Sequence, residues 1–82
     1  MMIELPEEIL LNLTPDNAED LCRVCNDFNF DVNVMRGRVC VDGKSILGVE
    51  GMIGRVVSLI PVTQDPLEIL TFYNAVKKIG AF

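Results

Sequence analysis

A chain of 82 residues, half of them apolar and with no low-complexity tract, has room for one folded domain, which excludes a disordered tail and leaves little core for a large active-site cleft. Its net charge of −5 argues against a nucleic-acid partner held through phosphate contacts. No run approaches the roughly 18 apolar residues of a membrane span, and "MMIELPEEI" is acidic where a signal peptide is basic, so the expectation is a cytoplasmic protein with no membrane partner.

Charge is distributed unevenly. Residues 1–34 carry eight acids against Arg23 alone, whereas residues 35–64 carry Arg36, Arg38, Lys44 and Arg55 against Asp42 and Glu50. The first strand is expected in either "MMIEL" or "ILLNL", with Pro6, Glu7 and Glu8 between them. "TPDNAEDLCRVCNDF" predicts a helix with Thr14 as cap, Pro15 in the first helical position, and Asp16, Glu19 and Asp20 near the positive end of its dipole. Ala18, Leu21, Cys22, Cys25 and Phe28 fall at i, i+3, i+4 and i+7 spacings and form its apolar stripe.

From Phe30 to Val34 apolar and polar residues alternate, "RG" turns the chain, and "RVCVD" alternates again, which predicts a hairpin. Gly43 permits another turn, and Ser45 opens a short helix, "SILGVEGM", that Gly51 and Gly54 break up. "RVVSLIPV" predicts a fourth strand, and Pro61 favours an edge position or a bulge for it. Asp65, Pro66 and Glu68 supply a cap, a first-turn proline and a capping-box partner for a last helix ending near Ile79, with Lys77 and Lys78 at its negative end. Leu67, Leu70, Val76 and Ile79 are expected on its buried side, with Ile69, Phe72 and Tyr73 nearby. Amphipathic helices and a half-buried antiparallel sheet bury each other by stacking in two layers. The expected class is α+β: an open-faced sandwich of four antiparallel strands with the helices packed on one face.

Few residues offer chemistry. Cys22, Cys25 and Cys40 are an odd set without a secretory context, so no disulfide framework is implied. "CRVC" has the spacing of a redox pair or half a zinc site, but the chain has no histidine and only Cys40 to add, and both its cysteines fall on the helical stripe as small apolar residues. No metal ligand set and no cofactor is expected. "DGKS" ends as a nucleotide-binding loop does, yet the glycine required five positions before Gly43 is Arg38. Ser45 has two readings from the residues alone: an N-cap worth about 1 kcal/mol, or a modification site where a helix start accommodates phosphate beside Lys44.

The stretch "FNFDVNVMRGRVCVDGKSILGVEGM", with its hairpin, its "KSILG" and their spacing from Phe28, resembles the HPr family, the small phosphocarrier proteins of the bacterial sugar phosphotransferase system, and their relative Crh. Looser similarity runs from Leu13 through the last helix. The resemblance implies the same open-faced sandwich and two phosphorylation positions. In the family a histidine at the start of the first long helix takes phosphate from Enzyme I and passes it to sugar transporters, using imidazole as nucleophile and a nearby arginine. In this chain Thr14 occupies the histidine position and Asp16 the arginine position, a degenerate pair: threonine has no adjacent base, and Asp16 repels an arriving phosphoryl group. Without any histidine, phosphohistidine transfer is excluded.

The second position is the serine of "KSILG", the target of HPr kinase in many relatives, and Ser45 matches it. The resemblance makes Lys44, Ile46, Leu47 and Val49 the partner-binding surface around that serine. The segment after the short helix is a few residues shorter than usual, and Asp16 removes an arginine that relatives use with the catabolite repressor. The expectation is a non-enzymatic, partner-binding protein switched at Ser45, with a protein partner such as HPr kinase or a regulator. The alternative is a structural or self-associating domain, possible as a homodimer, with neither phosphorylation site active.

Overall fold

The computed structural model describes residues 4–82. Four short alternating segments become strands: β1 (Ile9–Asn12), β2 (Val32–Arg36), β3 (Val39–Asp42) and β4 (Val56–Pro61). Three helices intervene: α1 (Ala18–Asn26), α2 (Ile46–Glu50) and α3 (Pro66–Lys77). Every strand pair is antiparallel and the spatial order is β1-β4-β2-β3, so the expected α+β open-faced sandwich is the observed architecture. "ILLNL" supplies the first strand; Met1, Met2 and Ile3 of "MMIEL" lie outside the described residues, and Glu4 and Leu5 are not in a strand.

Period-two alternation decides the two faces of the sheet. Ile9, Leu11, Val32, Val34, Val57 and Leu59 point into the core with Leu21 and Cys25 of α1, Val49 of α2, and Phe72 and Val76 of α3. Asn33, Met35, Ser58 and Cys40 alternate with those positions and face away from the helices. Phe28, Phe30 and Phe72 form an aromatic cluster under α3, with ring centroids 5.0, 5.5 and 6.1 Å apart. No polar or charged side chain among the described residues is buried.

Two expectations need correction. Pro61 does not mark an edge, because β4 lies between β1 and β2. Val62 donates to the Asp31 carbonyl (2.8 Å), so even-numbered residues of this strand bond toward β2 and odd-numbered ones face β1. β1 pairs only from Ile9 opposite Leu59 onward, so the position where Pro61 lacks an N–H has no strand beside it. In α3, Leu67 is 61 % exposed and the buried anchors are Phe72 and Val76. Five residues at helical spacing put Leu67 about 140° around the helix from Phe72.

The helix starts also differ in detail. Regular α1 begins at Ala18, with Asn17 as its N-cap residue, three positions after the expected Pro15. Thr14 still shapes that end: its Oγ1 accepts from the Asn17 N–H (3.2 Å), and Asn17 Oδ1 accepts from the Thr14 N–H (2.8 Å). Thr14 and Asn17 therefore cap each other reciprocally, as a capping box does, with asparagine in the glutamate's place. At α3, Asp65 caps as expected by accepting from the Leu67 N–H (3.0 Å). Glu68 does not reach the Asp65 N–H itself; it accepts from the Thr63 hydroxyl (2.6 Å), whose oxygen accepts from that N–H (3.2 Å).

Candidate functional site

Ser45 stands where β3 gives way to α2. Its N–H donates to the Asp42 carbonyl (3.0 Å) and its own carbonyl accepts from the Val49 N–H (3.0 Å), which opens the helix. Its backbone is extended, φ −100° and ψ 110°, as an N-cap residue's should be. The hydroxyl, however, makes no cap hydrogen bond, and the residue is exposed. Ser45 is an N-cap by backbone only; the stabilising side-chain bond expected of it is not made.

Lys44 is tied down through both its backbone and its side chain. Its N–H donates to Asp42 Oδ1 (2.9 Å), and its carbonyl accepts from Cys22 Sγ (3.2 Å) and Asn26 Nδ2 (3.2 Å). Its Nζ donates to the Phe28 carbonyl (2.9 Å), just past the end of α1, where the negative end of a helix favours a cation. The ammonium thus ties α2 to α1 instead of standing free beside Ser45.

The remaining expected contact residues diverge because α2 is a ridge. Ile46 faces a groove of about 530 Å³ between α1 and α2, together with Pro15, Cys22, Arg23, Glu50 and Ile53. Leu47, 81 % exposed, faces a second groove, of about 380 Å³, on the β3 side. Val49, expected among the docking residues, is fully buried and packs in the core, two positions (about 200°) around the helix from the exposed Leu47. Gly48 lets that ridge sit close on the sheet, since a Cβ there would lie 3.1 Å from Val41 Cβ.

Thr14 and Asp16 lie just before the regular start of α1. Thr14 is half-buried and committed to its reciprocal cap, and Asp16 is exposed. The cap residue Asn17, which the sequence reading passed over, also donates to the carbonyls of Asn12 (2.9 Å) and Ile79 (3.4 Å), so one amide ties β1, α1 and the end of α3. On the exposed side of α1, Arg23 pairs with Asp20 at 2.9 Å and Glu19 at 4.0 Å.

The three cysteines are not brought together. Cys25 is buried in the core, Cys22 is half-buried against Lys44, and Cys40 is exposed on the sheet face opposite the helices. Burial, followed by the neighbouring Cys22 and Asp42, pushes the Cys25 thiol up to about 12, with Lys44 opposing. Such a thiol stays protonated, whereas a redox nucleophile needs a lowered value. "DGKS" does join a strand to a helix, but the helix has five residues and the lysine that would reach a phosphate is bound to Phe28.

No family model matches the chain, and no curated protein matches it. Among solved structures, the crystal structure of HPr-C-His from Thermoanaerobacter tengcongensis aligns with a TM-score of 0.65 over 89 % of this chain and 92 % of that one, at 18 % identity. The fold is HPr-like. The four-stranded antiparallel open sheet with its three helices matches that fold. At this identity the likeness concerns architecture, so the roles of Thr14, Asp16 and Ser45 rest on their own surroundings.

Proposed function

We propose that the chain is an HPr-like, non-catalytic regulatory protein related to the phosphotransferase system, which acts in the cytoplasm by binding a protein partner and is switched by phosphorylation of Ser45. The observation that carries this reading is the state of the two hydroxyls at the resemblance's phosphorylation positions. Ser45 is exposed, at the tip of the α2 ridge, with its hydroxyl uncommitted. Thr14 is tied into a cap beside Asp16, and the chain holds no histidine that could carry phosphate in its stead. Phosphate at Ser45 adds a charge near −2 to the end of the ridge that carries Ile46 and Leu47, which changes what those apolar side chains can dock against.

A second reading is favoured by Lys44. With its ammonium on the Phe28 carbonyl, Lys44 is not free to receive a phosphoserine beside it, which fits a structural or self-associating HPr-fold domain in which Ser45 is unmodified. Intact mass after incubation with ATP and HPr kinase separates the two. The regulatory reading expects one added phosphate, lost in Ser45→Ala. No addition, with an authentic HPr labelled in parallel, refutes it and leaves the structural reading.

A further inference from the structure

The two grooves flanking α2 differ in charge. On the α1 side Glu19 and Glu50 outnumber Arg23. On the β3 side Arg36 and Arg55 line the groove without any acid, and Val39, Val41, Leu47 and Met52 provide its apolar wall. Arg38 occupies the same hairpin turn, beside Gly37 at φ +58°, so three of the four arginines in a chain of net charge −5 stand at one end of the fold. Among the described residues the ion pairs are those of Arg23, which leaves these three guanidiniums unpaired. Between them Leu47 is 81 % and Val39 54 % exposed. Asp42, the nearest acid of β3, alternates to the far face of the sheet and accepts from the Lys44 N–H.

We infer that the β3–α2 groove is a docking site for an acidic segment of a partner protein that carries an apolar side chain between its carboxylates. Arg36 and Arg55 grip the carboxylates, for which the guanidinium fork is suited, and Leu47 and Val39 cover the apolar group. Charge complementarity selects this occupant: the lining is wholly basic where it is charged, and the negative charge of the rest of the molecule repels an extended polyanion such as nucleic acid. The inference goes beyond the proposed switch, because the groove lies on the flank of α2 away from α1 and makes no use of the Ser45 hydroxyl.

The test uses the full chain and a short fluorescein-labelled peptide of alternating glutamate and leucine, followed by fluorescence anisotropy and by amide chemical-shift mapping. Binding that weakens with salt, with shifts centred on Arg36, Val39, Leu47 and Arg55, is expected. Arg36→Glu with Arg55→Glu should weaken it by roughly a hundredfold, since each of the two charge-assisted contacts is worth about a factor of ten. Leu47→Ser should weaken it several-fold without changing charge, while Arg23→Glu, on the other flank, should not. These side chains are exposed, and circular dichroism verifies that each variant is folded. Equal binding of a peptide with glutamine in place of glutamate, binding indifferent to the paired arginine change, shifts centred between α1 and α2, or no binding at millimolar peptide each overturns the proposal. So does a protein that dimerises alone in sedimentation and loses the dimer in the arginine variant, which assigns the groove to a second copy of this chain. Ser45→Ala is expected to bind the peptide normally, so a failure of the switch and a failure of this groove are read separately.

Discussion

Gly43→Ala tests how the turn that presents Ser45 is held. Gly43 is buried, and its backbone is not in the left-handed region, so alanine is allowed there by conformation alone. Replacing a glycine in such a position stabilises by about 0.4–1 kcal/mol through the unfolded chain. Space opposes this: a Cβ would stand 2.9 Å from Cys25 Sγ, 3.1 Å from the Val32 carbonyl oxygen and 3.3 Å from Val32 Cβ. The sulfur is enclosed in the core, and Val32 belongs to a strand paired on both sides, so neither gives way freely. Overpacking of this kind costs about 1–3 kcal/mol, and the net expectation is a loss of about 1–2 kcal/mol. For a domain of this size that lowers the melting temperature by about 5–15 °C. In a Cys25→Ala background the sulfur is absent and the added methyl enters the space it leaves, so the cost of Gly43→Ala should shrink by about 1 kcal/mol in a double-mutant cycle of urea unfolding. Gly51→Ala is the control, because its Cβ meets nothing closer than the Gly48 carbonyl at 3.4 Å. A Gly43→Ala protein as stable as the parent, or a cost indifferent to Cys25, refutes the reasoning.

Three further outcomes follow from the same geometry. With a thiol-specific reagent in native buffer, Cys40 should react first, Cys22 more slowly, and Cys25 only as the protein unfolds; rapid labelling of Cys25 contradicts its placement. Because the folded Cys25 thiol ionises near 12 and an ordinary one near 9.0, the unfolded chain gives up this proton first, so its contribution is intact below pH 9 and is lost as pH rises toward 12. By pH 10 the loss is about 1.4 kcal/mol, read as a steeper alkaline fall in unfolding free energy for the parent than for Cys25→Ala. Asn17→Ala removes the side-chain half of the reciprocal cap, the acceptor of the Thr14 N–H, and the donors to Asn12 and Ile79, while the backbone N–H of residue 17 keeps its bond to Thr14 Oγ1; it should cost about 1–2 kcal/mol in urea unfolding, and a neutral change means the amide holds nothing.

The architecture was legible because each element carries its own period and its own punctuation. Alternation on either side of Gly37 gives the hairpin, the stripe from Ala18 to Cys25 gives α1, and Asp65 with Pro66 starts α3. What was not legible depends on partners distant in sequence. Pro61 signals an edge only if its N–H side must be paired, and that depends on where β1 begins, some fifty residues earlier. Leu67 and Phe72 are equally apolar in the sequence, and the aromatic cluster with Phe28 and Phe30 decides which one α3 buries. At the site, adjacency does not fix orientation: Lys44 precedes Ser45 but its ammonium donates to the Phe28 carbonyl, and Ile46, Leu47 and Val49 meet different surroundings because α2 turns about 100° per residue. The basic stretch was visible as composition; that Arg36 and Arg55 share a groove follows only from the strand order and the course of α2.

The start of α1 bears most directly on what such a fold can do. A phosphocarrier of the HPr type needs a side chain there that is free to attack, with the helix's first N–H groups and a cation available to the arriving phosphoryl group. In this chain the start of α1 is closed by its own hydrogen bonds. Thr14 Oγ1 and Asn17 Oδ1 occupy each other's backbone N–H groups, Asn17 Nδ2 fastens the turn to Asn12 and Ile79, and Asp16 adds negative charge at the surface. The Thr14 hydroxyl oxygen is thus engaged in holding the helix start. The α2 ridge, by contrast, has an uncommitted hydroxyl at its tip and grooves of different charge on its flanks, and it sets the exposed Leu47 beside Arg36 and Arg55.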